Sequence, residues 1–288
     1  MLEGDRRGIG GDYSGSRFSL LTQHGKESVI GPLFRESLGV EVELASGFDT
    51  DTLGTFTRDI ARPGSQLDAA RKKAHKGMEI LGASQGLASE GACGPDPFGL
   101  VPWDVELVIL IDSARGLELI GRAQGPGHHL HGQVSTIAAL EAFADKAGFP
   151  EHGLVVRPES LDDPRIWKGL QDGAKLETAF AEALAQSTTG KVFVESDLRA
   201  HMNPTRMALI GQATQDLIRR MKSLCPRCRS PGFWVVERIA GLPCRDCDSP
   251  TNVARAERWA CVAGDHEEVR DLDTARSADP QWCNACNP

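Results

Sequence analysis

Apolar positions along this chain recur with two periods, and the switches between them predict most of its elements. Residues 17–22 (RFSLLT) read as a first strand. Val29, Ile30, Leu33, Phe34 and Leu38 then recur at helical spacing over 28–38, with Gly39 as a natural stop. Residues 40–44 alternate apolar with acidic side chains as a second strand. A helix over about 65–81 turns Leu67, Ala70, Ala74, Met78 and Leu81 inward and Arg71, Lys72, Lys73 and Lys76 outward. The run 105–112 (VELVILID) is the most strand-like in the chain, and 117–123 follows it across a short turn as the second arm of a hairpin. A helix over about 135–146, a strand at 154–157, a helix over 174–185 and a strand at 191–195 (KVFVE) come next. Asn203 as N-cap, with Pro204 at the first helical position, starts a long helix that runs to about residue 224. This order predicts an α/β fold: a disordered tail over 1–16, a mixed-sheet body with flanking helices over 17–222 that ends in the long helix, and a small zinc-ribbon-like region over 223–288.

The stretch 85–97 (QGLASEGACGPDP) is the first candidate for chemistry. Leu87 and Ala88 read as the end of a short buried strand, after which turn-forming residues surround Glu90. Ligands of open α/β sheets settle outside the carboxyl ends of strands, where such a carboxylate would reach them. The same composition also serves a plain loop with Glu90 in solvent. Lys26, at the start of the first helix, is placed either to hold a phosphate or to stand exposed in a first turn. The loop 48–56 (FDTDTLGTF) carries Asp51, which can cap a helix or face a metal. His128, His129 and His131 invite a metal reading, but a flexible exposed loop is preferred over it, because no Cys or acid stands at ligand spacing beside them.

Charge narrows the choice of partners. A formal net charge of -8 over 288 residues argues against wholesale wrapping of nucleic acid or anionic membrane, and no apolar run approaches membrane-spanning length. The first residues hold no apolar segment of the secretory kind, so a cytoplasmic address is expected. One local exception runs from Arg199 to Arg229, where Arg199, Arg206, Arg219, Arg220, Lys222, Arg227 and Arg229 face one acid, Asp216. Arginines on a solvated helix face and a contact with an anionic partner both fit that run; Arg199 and Arg206 flank a helix N-terminus.

Seven of the eight cysteines follow Ser223, six of them in C-x-x-C pairs, the arrangement of metal knuckles rather than of scattered disulfides. Cys225/Cys228 and Cys244/Cys247, fifteen residues apart, match a two-knuckle structural zinc site with redox dithiols as the alternative. Cys261, Cys283 and Cys286 leave a second site one ligand short, since Gly264 stands where a knuckle cysteine would fall. Either His266 completes it, or it has lost its metal, or the last pair exchanges with one of the first two. Nine basic and ten acidic side chains over 222–288 make this region nearly neutral, which favours a scaffold or protein contact over nucleic acid.

Two resemblances add to this. The segments 24–27 (HGKE), 49–56, 88–91 (ASEG), 149–154 (FPEHGL), 203–207 (NPTRM) and the Cys-Pro-x-Cys knuckle resemble an uncharacterised bacterial family of unknown function, which implies no activity. Residues 17–123 are similar in motif order to the inosine/xanthosine triphosphate pyrophosphatase superfamily: Thr22 and Lys26 bound the first loop, 51–56 (DTLGTF) follows, Lys73-Ala74 lies in the helix, and Ser89-Glu90-Gly91 stands at the acidic strand end. His24 replaces an expected Asn, Leu53 is inserted, and the acidic pair is reduced to Glu90. That resemblance implies hydrolysis of a nucleoside triphosphate or related phosphoanhydride, with Mg²⁺ held by Glu90 and Asp51 and the phosphates by Lys26 and Lys73. The alternatives are a non-catalytic nucleotide or RNA binder acting through Arg199 and Arg206, or a zinc-stiffened interaction scaffold.

Overall fold

The computed structural model describes residues 11–48, 64–272 and 276–288, and is mixed α/β with three sheets. Its contacts divide into two units, one formed by Tyr13–Ala114 with Ile120–Ile218 and the other built on Arg115–Leu119 with Arg219–Pro288.

The first unit opens with β1 (Arg17–Leu21), α1 (Glu27–Leu38), β2 (Glu41–Ala45), α2 (Gln66–Leu81), β3 (Gln85–Pro95), β4 (Pro102–Asp112) and β5 (Leu117–Pro126). The five strands lie in the order β2-β1-β3-β4-β5; β1 runs parallel to β2 and β3, and β3 antiparallel to β4. Local signals mark the helix ends. Ser65 and Asp68 cap α2 reciprocally, at 3.1 Å each way, and Gly39 and Gly82 close α1 and α2 in the left-handed conformation. Ala70, Ala74 and Met78 of α2 bury themselves against Ala88, Leu107, Ile109 and Ile111. Gly86 permits that approach, since a Cβ there would lie 2.6 Å from the Ala74 carbonyl oxygen.

The chain leaves β1 for β2 on one side and then returns to β3 on the other. The carboxyl ends of β1 and β3 therefore frame the switch point at which open parallel sheets take ligands.

A second sheet of the same unit holds β6 (His131–Val134), β7 (Leu154–Arg157), β8 (Trp167–Leu170) and β9 (Val192–Ser196) in the order β6-β9-β7-β8, all antiparallel. Leu140 and Ala144 of α3 (Ile137–Ala147) and Leu176, Phe180 and Ala183 of α4 (Gly173–Ala185) close its core over Leu154, Val156, Val192 and Val194. α5 (Pro204–Lys222) begins where expected, with Asn203 Oδ1 accepting the Arg206 N–H at 3.1 Å.

Two expectations change. Residues 85–95 are one unbroken strand of eleven residues rather than a strand end followed by a loop, because β4 offers a partner along the whole length. The turn falls later, at Asp96, whose carboxylate accepts the N–H groups of Phe98 at 3.2 Å and Val101 at 2.9 Å. Within the stretch read as a tail, Tyr13 is a core residue: its ring meets Phe18 edge-on at 5.3 Å and its hydroxyl donates to Asp112 Oδ2 at 3.1 Å.

The second unit carries β10 (Trp234–Ala240), β11 (Ala254–Ala260) and β12 (Glu267–Asp271) as an antiparallel sheet. No helix among the described residues is long and apolar enough to cross a membrane.

Gly121 tests the packing of α5 on β5. A Cβ there would run into the Ala213 backbone and lie 2.6 Å from Leu217 Cβ, whereas one at Gly94 would meet nothing within 4 Å. Thermal unfolding should show Gly121→Ala losing about 1–3 kcal/mol and Gly94→Ala unchanged or slightly more stable. Equal effects from the two would contradict this packing.

Candidate functional site

Alternation along β3 sorts its polar residues onto two faces. Ser89, Gly91 and Cys93 pair in register with Val108, Glu106 and Asp104, and these six share one face. Glu90, opposite Leu107, points to the other face, where Lys73 of α2 pairs with its carboxylate. Both side chains of that pair are largely buried.

On the first face, Lys26 Nζ donates to Ser89 O at 3.1 Å and Ser89 Oγ at 3.3 Å. Next along the face, the Arg206 guanidinium donates to Glu106 Oε1 from Nε at 2.8 Å and from Nη2 at 2.5 Å, and to the Leu198 carbonyl from Nη1. Arg206 and Glu106 are both fully buried. Gly91 makes the space, since a Cβ there would strike the guanidinium and lie 2.5 Å from Glu106 Oε1. Arg199 is held by Asp197, at 2.6 Å from Nη2 and 3.0 Å from Nε, while Asp197 also accepts the Gly169 N–H at 3.0 Å.

Electrostatics follow from this crowding. Burial lowers the Lys26 pKa to about 8; the Glu106 and Glu90 charges oppose the shift, and those of Arg206 and Lys73 add to it. His24, stacked on His201 with ring centres 5.1 Å apart, falls to about 3 through burial and then the charges of Lys26, His201, Arg199 and Lys73. His24 is therefore neutral at physiological pH.

The residues singled out from sequence thus divide. Lys26 and Arg206 share one face of β3, Lys73 and Glu90 pair on the other, and Arg199 is tied to Asp197. Asp51 lies outside the described residues. The expected basic patch is largely engaged as well: Arg199 and Arg206 hold carboxylates, Arg220 stacks on Trp234 at 5.0 Å, and Arg227 meets Asp265 at 3.1 Å. Fully buried, Arg206 presents no surface to an RNA, because the start of α5 at Asn203 directs it inward.

Sequence reading passed over Glu106, Cys93 and Asp104, and preferred an exposed loop to a metal ligand for His129, which joins the last two in a trio. Asp104 Oδ1 accepts from Cys93 Sγ at 2.9 Å and meets His129 Nε2 at 2.8 Å, so the histidine read as exposed is half-buried against an acid. Burial pushes the Asp104 carboxyl up, but the hydrogen bonds and charges of its neighbours outweigh it and leave it below the ordinary range. The usable signal was the hairpin register, which sets Cys93 opposite Asp104. Cys93 and His129 line a cavity of about 840 Å³ that also touches Gln133, Ser160, Phe193 and Glu195.

In the second unit the cysteines form two groups that could hold a metal such as zinc: Cys244, Cys247, Cys283 and Cys286, and Cys225, Cys228 and Cys261. The pairing differs from the simplest expectation, since the last knuckle has exchanged with the first as partner of Cys244 and Cys247. The sheet explains it. Cys225 and Cys228 precede β10 and Cys261 follows β11, at one end of that hairpin, while Cys244 and Cys247 lie in the connection at the other end. Sulfur separations of 3.4, 3.6 and 3.9 Å in the four-cysteine group suit a tetrahedral ion, for which Zn–S bonds of about 2.3 Å place sulfurs about 3.8 Å apart.

The two knuckles repeat one backbone design. Arg229 N–H donates to Cys225 O at 2.8 Å and Asp248 N–H to Cys244 O at 3.0 Å; Arg229 and Asp248 both take positive φ, near 60°. His266 stays out of the three-cysteine group, with its ring on Phe233 at 5.6 Å and Nε2 on Glu268 Oε1 at 3.0 Å. Among the described residues no fourth Cys, His, Asp or Glu joins those three cysteines.

Residues 73–288 match the family described as Domain of unknown function (DUF6671), a match that begins within α2 and takes in the greater part of the chain. No curated protein matches the chain.

Metal counting separates the two cysteine pairings. Cys247→Ser and Cys283→Ser should each lose the same zinc equivalent, so that the double variant loses no more than either, while Cys228→Ser affects a different site. Loss of a single shared ion in Cys228→Ser and Cys247→Ser would contradict the grouping.

Proposed function

We propose that the chain, which belongs to the family of unknown function just described, binds a phosphate-bearing small ligand of the nucleotide class at the carboxyl ends of β1 and β3. Lys26 is the residue that meets the phosphate. One observation carries the reading. Lys73, Arg199 and Arg206 each hold a carboxylate of their own, whereas among the described residues Lys26 donates only to the neutral oxygens of Ser89.

A buried ammonium with no carboxylate in hydrogen-bond contact is costly, and burial lowers its pKa although the charges of Glu106 and Glu90 act against the shift. An anionic ligand would remove it. The location supports the same reading, because Lys26 closes the short loop between β1 and α1 and reaches β3 across the switch point.

Phosphoanhydride hydrolysis with Mg²⁺ is the narrower form of this proposal, and the geometry favours recognition over it. Glu90 is engaged by Lys73 on the face of β3 opposite Ser89. Magnesium there would require Glu90 to leave its lysine.

Calorimetric titration with inorganic pyrophosphate and with ATP, with and without Mg²⁺, tests the reading. A charge-assisted hydrogen bond of about 1.5–3 kcal/mol corresponds to a roughly 10- to 150-fold loss of affinity in Lys26→Met. Thermal stability should hold or rise, because the variant removes a buried charge that no carboxylate contacts directly. Lys26 is protonated below about 8 and loses its charge above it. Affinity should therefore decline as pH rises through that value, with the bound anion moving the midpoint upward. Unchanged affinity in Lys26→Met, or no binding by the wild-type chain, would overturn the reading.

A further inference from the structure

The β3–β4 hairpin and the segment entering β6 bring Cys93, Asp104 and His129 together, and the phosphate reading uses none of them. We propose that these three side chains hold a divalent transition-metal ion of the zinc class, with one coordination position open to the cavity beside them.

One ligand atom from each residue lies within 4.8 Å of the other two. A single carboxylate oxygen, Asp104 Oδ1, takes contacts from both the thiol and the imidazole, at 2.9 and 2.8 Å. The other oxygen, Oδ2, has no hydrogen-bond partner among the described residues although Asp104 is fully buried. Leaving a buried carboxylate oxygen unsatisfied is expensive, and a cation among the three groups would engage its lone pairs.

The backbone keeps this space clear. A Cβ at residue 127 would lie 2.6 Å from His129 Nε2 and 2.9 Å from Asp104 Oδ2, and the residue there is Gly127. One sulfur, one nitrogen and one carboxylate oxygen form a donor set suited to a borderline ion such as Zn²⁺ or Co²⁺. Mg²⁺ and Ca²⁺ call for six or more oxygens and are a poor match.

Position settles the role of the fourth ligand. Cys93 and His129 line the 840 Å³ cavity, whereas Asp104 lies behind them without exposure. An ion held by all three would face the cavity with its remaining position. Three protein ligands and an open site are the arrangement of catalytic zinc, in contrast to the closed four-cysteine group of the C-terminal unit. Polar groups from Gln133, Ser160 and Glu195 and apolar walls from Leu130, Leu161 and Phe193 line that cavity. They suit a small organic molecule that presents an oxygen to the metal.

The full-length chain, stripped of metal and titrated with Co²⁺, tests this directly. Cys93→Ser and His129→Ala should each take up one equivalent fewer than wild type, while both C-terminal cysteine groups keep theirs. The difference spectrum between wild type and Cys93→Ser should shift on addition of azide, which binds only at an open position. Gly127→Ala removes no ligand yet fills the cradle, and should weaken Co²⁺ at this site about 10-fold or more. Should circular dichroism show Cys93→Ser unfolded, His129→Ala supplies the reference spectrum and, with Gly127→Ala, decides the question. Equal uptake by wild type and His129→Ala, or unchanged affinity in Gly127→Ala, would overturn the site. An azide-insensitive spectrum would overturn the open position.

Discussion

A guanidinium and a carboxylate that are both out of reach of solvent, Arg206 and Glu106, hold the polar side of the β3–β4 ribbon together. Burying either ion alone costs several kcal/mol even after relaxation. The pair is tolerated because Gly91 lets the charges meet, Asn203 fixes the backbone of Arg206, and Leu198 takes a further N–H. These constraints come from two distant parts of the chain, β3 and the segment leading into α5. Their convergence places α5 against the sheet, with the Lys26–Ser89 contact on one side of the pair and the Cys93–Asp104 contact on the other.

That polar face gives the first unit two neighbouring but chemically different places. At the switch point the buried Lys26 ammonium donates to the backbone and hydroxyl oxygens of Ser89. Further along the same strand, the Cys93 thiol and the His129 imidazole meet on one oxygen of the Asp104 carboxylate. The strand ladder keeps the two apart, since Ser89 and Cys93 lie four residues from one another on a rigid ribbon paired throughout with β4. On the reverse face α2 covers a mostly apolar surface, with Lys73 and Glu90 as its buried ionic contact.

Much of this architecture was legible in the sequence because its signals are local. The Gly39 stop and the Asn203-Pro204 start are each settled within a few residues, and α1 and α5 begin and end within two residues of where the sequence places them. What escaped depends on partners distant in the chain. β3 continues past Ala88 only because β4 pairs with it, and that ladder puts Ser89 and Glu90 on opposite faces, separating Lys26 from the carboxylate expected to work with it. His129 looked isolated because its acid partner is 25 residues earlier. The cysteine spacing fits more than one pairing of knuckles, and the β10–β11 hairpin selects among them.

A double-mutant cycle on Glu106 and Arg206, read by chemical denaturation, tests the central claim most directly. The account predicts that Glu106→Gln and Arg206→Met each lose about 3–5 kcal/mol, because each strands the other charge, and that the double variant is less destabilised than the sum of the two. Small and additive losses, under about 1 kcal/mol each as at an exposed pair, would contradict it.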